Sequence, residues 1–548
     1  MSTIVSTSSS TGRISRLSAL LAVVALLGAC TASTAPIASR PPSASALAPS
    51  AAAVAAAAPL AADRIQILHT NDIHGHLDAQ TITTSGRSFE LGGMAILGGM
   101  IQLQRSRAPA RTLTLDAGDA LSGTLISAID HGAAMTKAMS LIGYDAQAVG
   151  NHDLDWGQDE LAKRAAEASF PFLAANLVQA ATGAPPPYVK PYVVKDLGIA
   201  RVGVIGLTYP SASIIKASST KGLVFLPGIE SVRKYLPEVR RQADVIVVLS
   251  HLGVEGGTSR IAGGDTSLAE AVPGIDVIVG GHDHLVFRTA RVAGTTKIFQ
   301  AGTAAEDLGR IELTIDPATH RVSAVQSAGV ILPVASGAAP PLASVAALVA
   351  ERRADADKYG KRVVGKATDA FQADREMNDP LGNLVADALL DYGRRQGWKS
   401  DLAFYNGAGL RSSLRAGDIT YEELAEVLPF RNTVVSLDLT GAQLTEVFEG
   451  MAGSAGRLFM AGGTLAYRSS AAPGSRVTRA TVGGQPLDAA RTYHVATIDY
   501  LQGGGDGHVE FTKGTDLIYG DVDEDVVATY LEAHSPVSPI SPGRVTAQ

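Results

Sequence analysis

Hydrophobic and polar positions along residues 64–336 form short apolar runs separated by longer segments of helical period. Five runs resemble buried strands, at residues 65–68, 113–115, 147–149, 245–249 and 277–279. Short apolar runs bounded by turn residues are typical of strands inside a protein. Their alternation with helices predicts a layered α/β domain.

A composition break at residues 337–341 marks the end of this domain. The Ala-rich pattern of residues 342–359, with charges towards its end, predicts one linking helix. Strands at 402–405 and 493–497 and a helix at 381–392 indicate a second domain. We therefore predict a first domain at 63–336, a linker helix at 337–359 and a second domain at 360–548.

The N-terminal 30 residues have the pattern of an export signal. Arg13 and Arg16 precede an apolar run, 17–29, that is too short to cross a bilayer. The run ends in Leu27-Gly28-Ala29-Cys30, which resembles the lipobox of bacterial lipoproteins, and the alternative is an ordinary cleaved signal. The lipobox reading predicts lipidation at Cys30 and a periplasmic protein tethered to the outer membrane, with residues 31–62, rich in Ala, Ser and Pro, as a disordered tether.

Charge and cysteine content narrow the possible partners. The 548 residues carry 46 Lys and Arg against 53 Asp and Glu, a formal net charge of −7, without any block of basic residues. Such a chain lacks the electrostatic footprint of a nucleic-acid-binding protein. Cys30 is the single cysteine, which excludes an intramolecular disulfide. We expect the protein to be a monomer.

Metal-binding residue types follow each of the five apolar runs. Because sites in open α/β sheets lie beyond the carboxyl ends of the strands, we expect these segments to converge. The candidate ligands are imidazoles, carboxylates and one amide, namely Asp72, His74, Asp119, Asn151, His251, His282 and His284. Such donors suit Zn, Mn, Co or Fe, and seven of them fit two divalent ions that share one carboxylate.

The order of the motifs D-x-H, G-D, G-N-H-D, S-H and G-H-D-H resembles that of the calcineurin-like metallophosphoesterases. More narrowly, His69-Thr70-Asn71-Asp72-Ile73-His74-Gly75 and Gly150-Asn151-His152-Asp153-Leu154-Asp155 resemble the bacterial exported 5′-nucleotidase/UDP-sugar hydrolase family. The resemblance extends over about residues 63–535. It implies an α/β fold: a layered β-sandwich flanked by helices, joined by a linking helix to a second α+β domain that binds the substrate.

The same resemblance implies roles for individual residues of the first domain. One ion would lie between Asp72, His74, His284 and a bridging Asp119, and the second would bind Asp119, Asn151, His251 and His282. His284 stands where some members have Gln. His152 matches the catalytic histidine of the family, and Asp155 matches the carboxylate that orients it.

In the second domain the resemblance implies a nucleotide site. Phe430 and Tyr500 would sandwich the base, because an aromatic ring stacks on any base. Asn432 and Asp506 would read the base edge or the ribose hydroxyls. Arg375 and Arg411 would meet phosphate or ribose oxygens, with Asn406 in a loop that resembles the family's N-G-G-G-I-R sequence.

These features predict a hydrolase that releases phosphate from nucleoside 5′-monophosphates by in-line attack of a metal-bound hydroxide. UDP-sugars and nucleoside di- and triphosphates are further substrates that the resemblance suggests. One alternative is a 2′,3′-cyclic-nucleotide 2′-phosphodiesterase/3′-nucleotidase, although Asp155 favours the 5′ enzyme because the cyclic-nucleotide enzymes resemble H-E-F-N at this place. Another is a non-catalytic lipoprotein that binds metal or nucleotide, for which the pair His152 and Asp155 would have no use.

Overall fold

A computed structural model describes residues 58–84, 87–255, 263–326, 330–375, 377–453, 457–540 and 543–548. The predicted signal segment, Cys30 and most of the predicted tether lie outside these residues.

Strands and helices alternate through the first domain, as the apolar pattern predicts. The strands are β1 (Arg64–Thr70), β2 (Gln80–Thr84), β3 (Arg87–Leu91), β4 (Thr112–Asp116), β5 (Ala146–Ala148), β6 (Phe172–Leu173), β7 (Leu177–Gln179), β8 (Tyr192–Asp196), β9 (Arg201–Leu207), β10 (Leu223–Phe225), β11 (Val245–Ser250), β12 (Val277–Gly280), β13 (Arg291–Ala293), β14 (Thr296–Phe299), β15 (Asp307–Ile315), β16 (Val322–Val325) and β17 (Val330–Pro333). The helices are α1 (Met94–Arg105), α2 (Leu125–Ala128), α3 (Ala133–Ile142), α4 (Gln158–Glu167), α5 (Gly228–Arg240) and α6 (Asp265–Ala271). All five strands expected from the apolar runs are present.

Two mixed sheets form the centre of this domain. One has the order β16-β15-β1-β4-β5-β6, with β17 also paired to β15, and the other has the order β13-β14-β12-β11-β9-β8. In the first sheet β1, β4, β5 and β6 run parallel. In the second sheet β9, β11, β12 and β14 run parallel. The polar segments that follow these strands therefore all lie at the carboxyl ends of parallel strands.

The apolar side chains of the strands explain why the two sheets pack face to face. Ile65 and Ile67 of β1 share one buried cluster with Val202, Val245 and Val277 of the opposite sheet. The outer faces pack against helices, the first sheet on α1 and α3 and the second on α5 and α6. Strands buried on both faces carry nearly continuous apolar sequence, which is the pattern seen here.

A linking helix and a second set of strands and helices follow the first domain. Helix α7 covers Ala343–Gly360, one residue later than predicted. The remaining strands are β18 (Val363–Ala367), β19 (Leu402–Asn406), β20 (Gly417–Thr420), β21 (Thr433–Thr440), β22 (Leu458–Ala461), β23 (Gly463–Tyr467), β24 (Val477–Val482), β25 (Gln485–Pro486), β26 (Thr492–Ile498), β27 (Thr515–Val522) and β28 (Val545–Ala547). The helices are α8 (Pro380–Arg395), α9 (Tyr421–Val427), α10 (Gly441–Met451), α11 (Asp499–Gln502) and α12 (Asp523–His534).

The second domain is built around a five-stranded sheet of order β22-β19-β26-β21-β27. Helices α8, α10 and α12 cover this sheet and share its apolar cluster. The α8 helix begins where the sequence provides a cap: the Asp379 side chain accepts from the Leu381 N–H, and Pro380 stands at the first helical position. Within the described part of the chain, every helix is too short or too polar to cross a bilayer.

Candidate metal centre and active site

The loops that follow β1, β4, β11 and β12 are joined by hydrogen bonds at the carboxyl ends of the strands. The Asp72 N–H donates to the Gly118 carbonyl at 2.9 Å, and the His74 N–H donates to the Asp119 carbonyl at 2.9 Å. The His282 N–H donates to Asp72 Oδ2 at 2.9 Å, which joins the two sheets. The convergence expected from the motif positions is therefore present.

Six of the seven candidate ligands form two compact clusters. One consists of Asp72, His74 and His284, and the other of Asp119, His251 and His282. The seventh, Asn151, joins the second cluster, since its Oδ1 lies 3.1 Å from His282 Nδ1. The clusters adjoin, with His74 Nε2 and Asp119 Oδ2 separated by 3.9 Å. This is the arrangement that the sequence predicts for two ions that share Asp119.

The facing donor atoms fit cations. His74 Nε2 and His284 Nε2 point at each other across 3.0 Å. Burial lowers the pKa of both imidazoles, that of His284 to about 3, so both rings are neutral near pH 7. His251 Nε2 is buried and lies 3.0 Å from Asp119 Oδ2, and the charge of Asp119 outweighs burial and raises the pKa of this imidazole to about 10. Imidazole nitrogens that face one another or a buried carboxylate in this way are donors that a divalent cation can bind.

Hydrogen bonds orient the histidine rings. His251 Nδ1 lies 2.7 Å from the Ala117 carbonyl, and His74 Nδ1 lies 3.1 Å from the Ser122 carbonyl. A proton on Nδ1 satisfies each contact and leaves Nε2 with its lone pair towards the centre. Backbone carbonyls thus select the tautomer that can bind a metal.

Asp153 holds two ligand loops together from behind the centre. Its carboxylate accepts the N–H groups of Asp119, Ala120 and Leu121 at 3.1 Å and that of Gly150 at 2.8 Å. One buried side chain therefore fixes both the segment with the shared carboxylate and the segment that leads to Asn151. Asp153 therefore orients ligands without being one of the proposed ligands itself.

His152 and Asp155 form a pair beside the ligands. His152 Nδ1 lies 3.1 Å from Asp155 Oδ2, and the Ser122 hydroxyl donates to the same oxygen at 2.7 Å. Burial disfavours the charged imidazole, but Asp155 and Asp119 outweigh this and raise the pKa of His152 above its ordinary value. The environment favours an imidazolium, which can act as a general acid.

The second domain brings two of the predicted substrate residues to this pair. The Phe430 ring stacks on the His152 ring with centroids 4.7 Å apart and planes 15° apart. The Arg411 guanidinium lies 5.5 Å from the Phe430 centroid. Burial and Arg375 lower the pKa of Arg411, and the carboxylates of Asp119 and Asp72 oppose that shift. Arg411 is thus a half-buried cation within electrostatic reach of the metal centre.

The remaining predicted substrate residues do not all lie in one group. The Asn406 amide and the Tyr500 hydroxyl both donate to Asp506 at 2.8 Å, so these three form one group. The Arg375 N–H donates to Asp379 Oδ2 at 2.8 Å. Asn432 is buried, and its amide donates to Asp523 at 3.2 Å. In this structure Asn432 supports the loop behind Phe430.

Three residues at the site did not stand out in the sequence. Ser122 binds Asp155, as described, and the Tyr209 ring lies 4.5 Å from the His282 ring. Lys216 Nζ donates to the Arg431 carbonyl at 2.7 Å, from the first domain to the second. Tyr209 follows the end of β9, so the positional rule that identified the ligands could have found it. The partner of Lys216 is distant in sequence, and no local signal marks it.

Models of two protein families match the chain. The calcineurin-like phosphoesterase model matches residues 65–286. The model of the 5′-nucleotidase C-terminal domain matches residues 363–513. Calcineurin-like phosphoesterases use two divalent ions, which agrees with the two clusters found here.

Relatives of the whole chain lead to the same family. Human 5′-nucleotidase is 30% identical over 536 residues, which cover 88% of this chain and 90% of the relative. Protein UshA of Yersinia enterocolitica is 29% identical over 514 residues, which cover 86% and 92%. The crystal structure of a 5′-nucleotidase precursor from Thermus thermophilus superposes with a TM-score of 0.76 at 30% identity, covering 88% of this chain and 99% of that one. The chain belongs to the 5′-nucleotidase family, whose members are metal-dependent hydrolases of phosphoric monoesters.

Proposed function

We propose that this enzyme hydrolyses nucleoside 5′-monophosphates, with the phosphate at the two metal clusters and the base held by the second domain. The observation that carries the proposal is the stacking of Phe430 on His152, with Arg411 beside it. It brings an aromatic platform and a guanidinium from the second domain to the metal centre. A planar base and a phosphate are the groups that such side chains recognise.

The chemistry is divided between the ions and the protein. Two divalent ions, when bound, lower the pKa of a water molecule and neutralise charge on a phosphoryl group. His152 is held by Asp155 through Nδ1, which leaves Nε2 to donate a proton to the leaving 5′ oxygen. Arg411 supplies a fork of donors for the phosphate oxygens, and Asn406, Tyr500 and Asp506 form the group that meets the nucleoside.

A substrate panel tests this assignment. Chelated enzyme would receive Mn, Co, Zn or Mg and then 5′-AMP, 5′-UMP, UDP-glucose, 3′-AMP or 2′,3′-cyclic AMP. We expect metal-dependent phosphate release, with kcat/KM highest for the 5′-monophosphates. Cleavage of UDP-glucose would extend the activity as the family resemblance suggests. Preference for 3′-AMP or the cyclic ester would replace the proposal by the cyclic-nucleotide alternative, and metal or nucleotide binding without turnover would favour the non-catalytic one.

We also propose that the protein is exported and anchored through lipid on Cys30. The support is the sequence of residues 13–30, with its basic residues, short apolar run and Leu27-Gly28-Ala29-Cys30 ending. In a bacterial host, the full chain should fractionate with membranes and Cys30→Ala should not. Equal membrane association of the two would contradict the lipid anchor.

A further inference from the structure

Lys216 makes a direct contact between the two domains next to the proposed nucleotide site. It lies between a short helix, Ala212–Ile214, and strand β10, and its ammonium group donates to the Arg431 carbonyl at 2.7 Å. Arg431 follows Phe430, the residue that stacks on His152. The contact therefore joins the first domain to the loop that carries the proposed base platform.

Two carboxylates of the second domain, the buried Asp523 and the half-buried Asp499, lie near this contact. Burial raises the pKa of Asp523 to about 7, and the positive charge of Lys216 is the largest influence opposing that rise. Burial raises the pKa of Asp499 as well, and Lys216 again opposes the rise. The nearby cation of the second domain itself, Arg431, is paired with Glu524. Lys216 thus provides from the first domain a positive charge that favours ionised Asp499 and Asp523.

These carboxylates support the same loop that Lys216 contacts. Asp523 accepts from the Asn432 amide at 3.2 Å, and Asp499 accepts from the Thr433 N–H at 3.1 Å. Residues 431–433 are therefore held from one side by carboxylates of their own domain and from the other side by Lys216. If the domains separated here, the ammonium–carbonyl bond would be lost and the two acids would lose their opposing charge.

We infer that Lys216 is a positioning residue, which holds the loop of Phe430 and Arg431 against the metal centre and so stabilises the arrangement in which both domains face the substrate. The inference rests on the proposed function, because it assumes that Phe430 and Arg411 bind the nucleotide. Lys216 would then raise the fraction of molecules in which the two domains are joined as observed. The chemical groups at the metal centre would be the same with or without it.

A cysteine pair can measure that population without substrate. A Cβ atom at Gly503 of the second domain would lie 3.0 Å from the Ala217 Cβ of the first. Disulfides have Cβ separations of roughly 3.5–4.5 Å, so the two segments must move apart by about 0.5 Å to accommodate the bond, and both positions are exposed. In a Cys30→Ala background, Ala217→Cys with Gly503→Cys should crosslink under mild oxidant only while the domains are joined as observed.

The effect of Lys216 on the crosslinking rate is the first test. Lys216→Met should slow crosslinking about tenfold, the change expected from losing one charge-assisted hydrogen bond. Lys216→Arg should restore most of the rate, since a guanidinium can still donate to the Arg431 carbonyl. The matched control is Lys221→Met, an exposed lysine of the same segment, which should crosslink at the parent rate. Equal rates for Lys216→Met and Lys221→Met would overturn the inference.

Kinetics without the cysteine pair give a second test, which does not depend on how well that pair folds. Lys216→Met should lower kcat/KM for 5′-AMP about tenfold with metal content unchanged, and Lys216→Arg should recover it. An unchanged kcat/KM, or a loss that Arg does not recover, would contradict the inference. If the parent does not hydrolyse 5′-AMP, the proposed function fails, whereas the crosslinking comparison still reports on Lys216.

Discussion

At the residue scale, most of the proposed metal ligands have a left-handed backbone conformation. Asp72, His74, Asp119, His282 and His284 all have φ between 49° and 77°. This left-handed region costs free energy for residues other than glycine, and such residues concentrate at functional sites. Five of the seven proposed ligands share this feature, so the loops direct donor atoms towards the centre in spite of that cost.

Replacing His152 by Ala should separate metal binding from turnover. The imidazole contacts Asp155 and is a neighbour of the ligands in our assignment, without being one itself. Loss of a general acid typically lowers the rate by about 10²–10⁴-fold. We expect kcat for 5′-AMP to fall in that range, while two metal equivalents per chain remain by elemental analysis. Parent-level turnover would exclude His152 from the reaction.

Asp265 should make stability depend on pH. It is fully buried, accepts from the Ser250 hydroxyl at 2.5 Å, and burial raises its pKa to about 8. The folded state therefore binds a proton that the unfolded state releases above about pH 4. As the pH rises from about 4 to 8, this group lowers the free energy of unfolding by up to about 1.4 kcal/mol per pH unit.

Urea unfolding of the parent and Asp265→Asn at pH 5, 6, 7 and 8, in the same metal buffer, would test this. The amide has no proton to release in this range. The free energy of unfolding of the parent minus that of the variant should therefore decrease as the pH rises. A difference that is constant or increases with pH would show that Asp265 is ionised in the folded protein.

At the scale of elements, the sequence predicts the strands that carry the proposed metal ligands, because those ligands lie at the strand ends. The five apolar runs are strands, and the candidate ligands that follow them converge, six in the two clusters and Asn151 beside His282. The strands and the ligand positions could be predicted because strands buried on both faces have nearly continuous apolar sequence, and the carboxyl ends of parallel strands lie at the same edge of a sheet. Short strands such as β6 and β7, with two and three residues, have too few positions to show a period. They were not predicted.

The loop between β5 and Asn151 should tolerate no side chain at Gly150. A Cβ atom there would lie 2.1 Å from Asp119 Oδ1 and 2.3 Å from the Asp119 nitrogen. Gly150→Ala should therefore displace the carboxylate that both ions share, with a loss of bound metal and at least a roughly 10-fold loss of activity. The matched control is Gly450→Ala in α10, where the nearest atom to a Cβ would be 3.6 Å away. Full metal occupancy in Gly150→Ala would contradict the expectation that a Cβ atom at this position displaces the Asp119 carboxylate.

At the scale of the whole molecule, the two domains are held by contacts that join distant parts of the sequence. Arg353 of α7 lies 3.0 Å from Asp78 of the first domain and 2.5 Å from Glu422 of the second. Lys216 and Arg431 are likewise 215 residues apart. Composition and period predict each domain and the linking helix, but not which side chains meet across them. The family resemblance supplied the residues Arg411 and Phe430, and the structure supplied their position on His152.

Removing the metals should lower the stability of the whole protein. Asp72 and Asp119 are both buried, and burial together with the charge of Asp119 raises the pKa of Asp72, so cations between them relieve a repulsion. Ions that bind only the folded state at about 100 times their Kd add about 2.7 kcal/mol to the free energy of unfolding. For domains of this size that corresponds to roughly 5–10 °C in Tm. Chelation should therefore lower Tm by this amount, and Zn, Mn or Co should restore it.

Two variants show whether that shift arises at the proposed centre. His251→Ala removes a ligand whose Nε2 lies 3.0 Å from Asp119 Oδ2, so its Tm should respond less to added metal. His534→Ala alters a histidine at the end of α12, stacked on Tyr530, and should keep the full response. Because both variants lose one imidazole, nonspecific metal binding would affect them alike. A parent Tm that is the same with and without chelator, or equal responses in the two variants, would place the metal dependence elsewhere than between these strand ends.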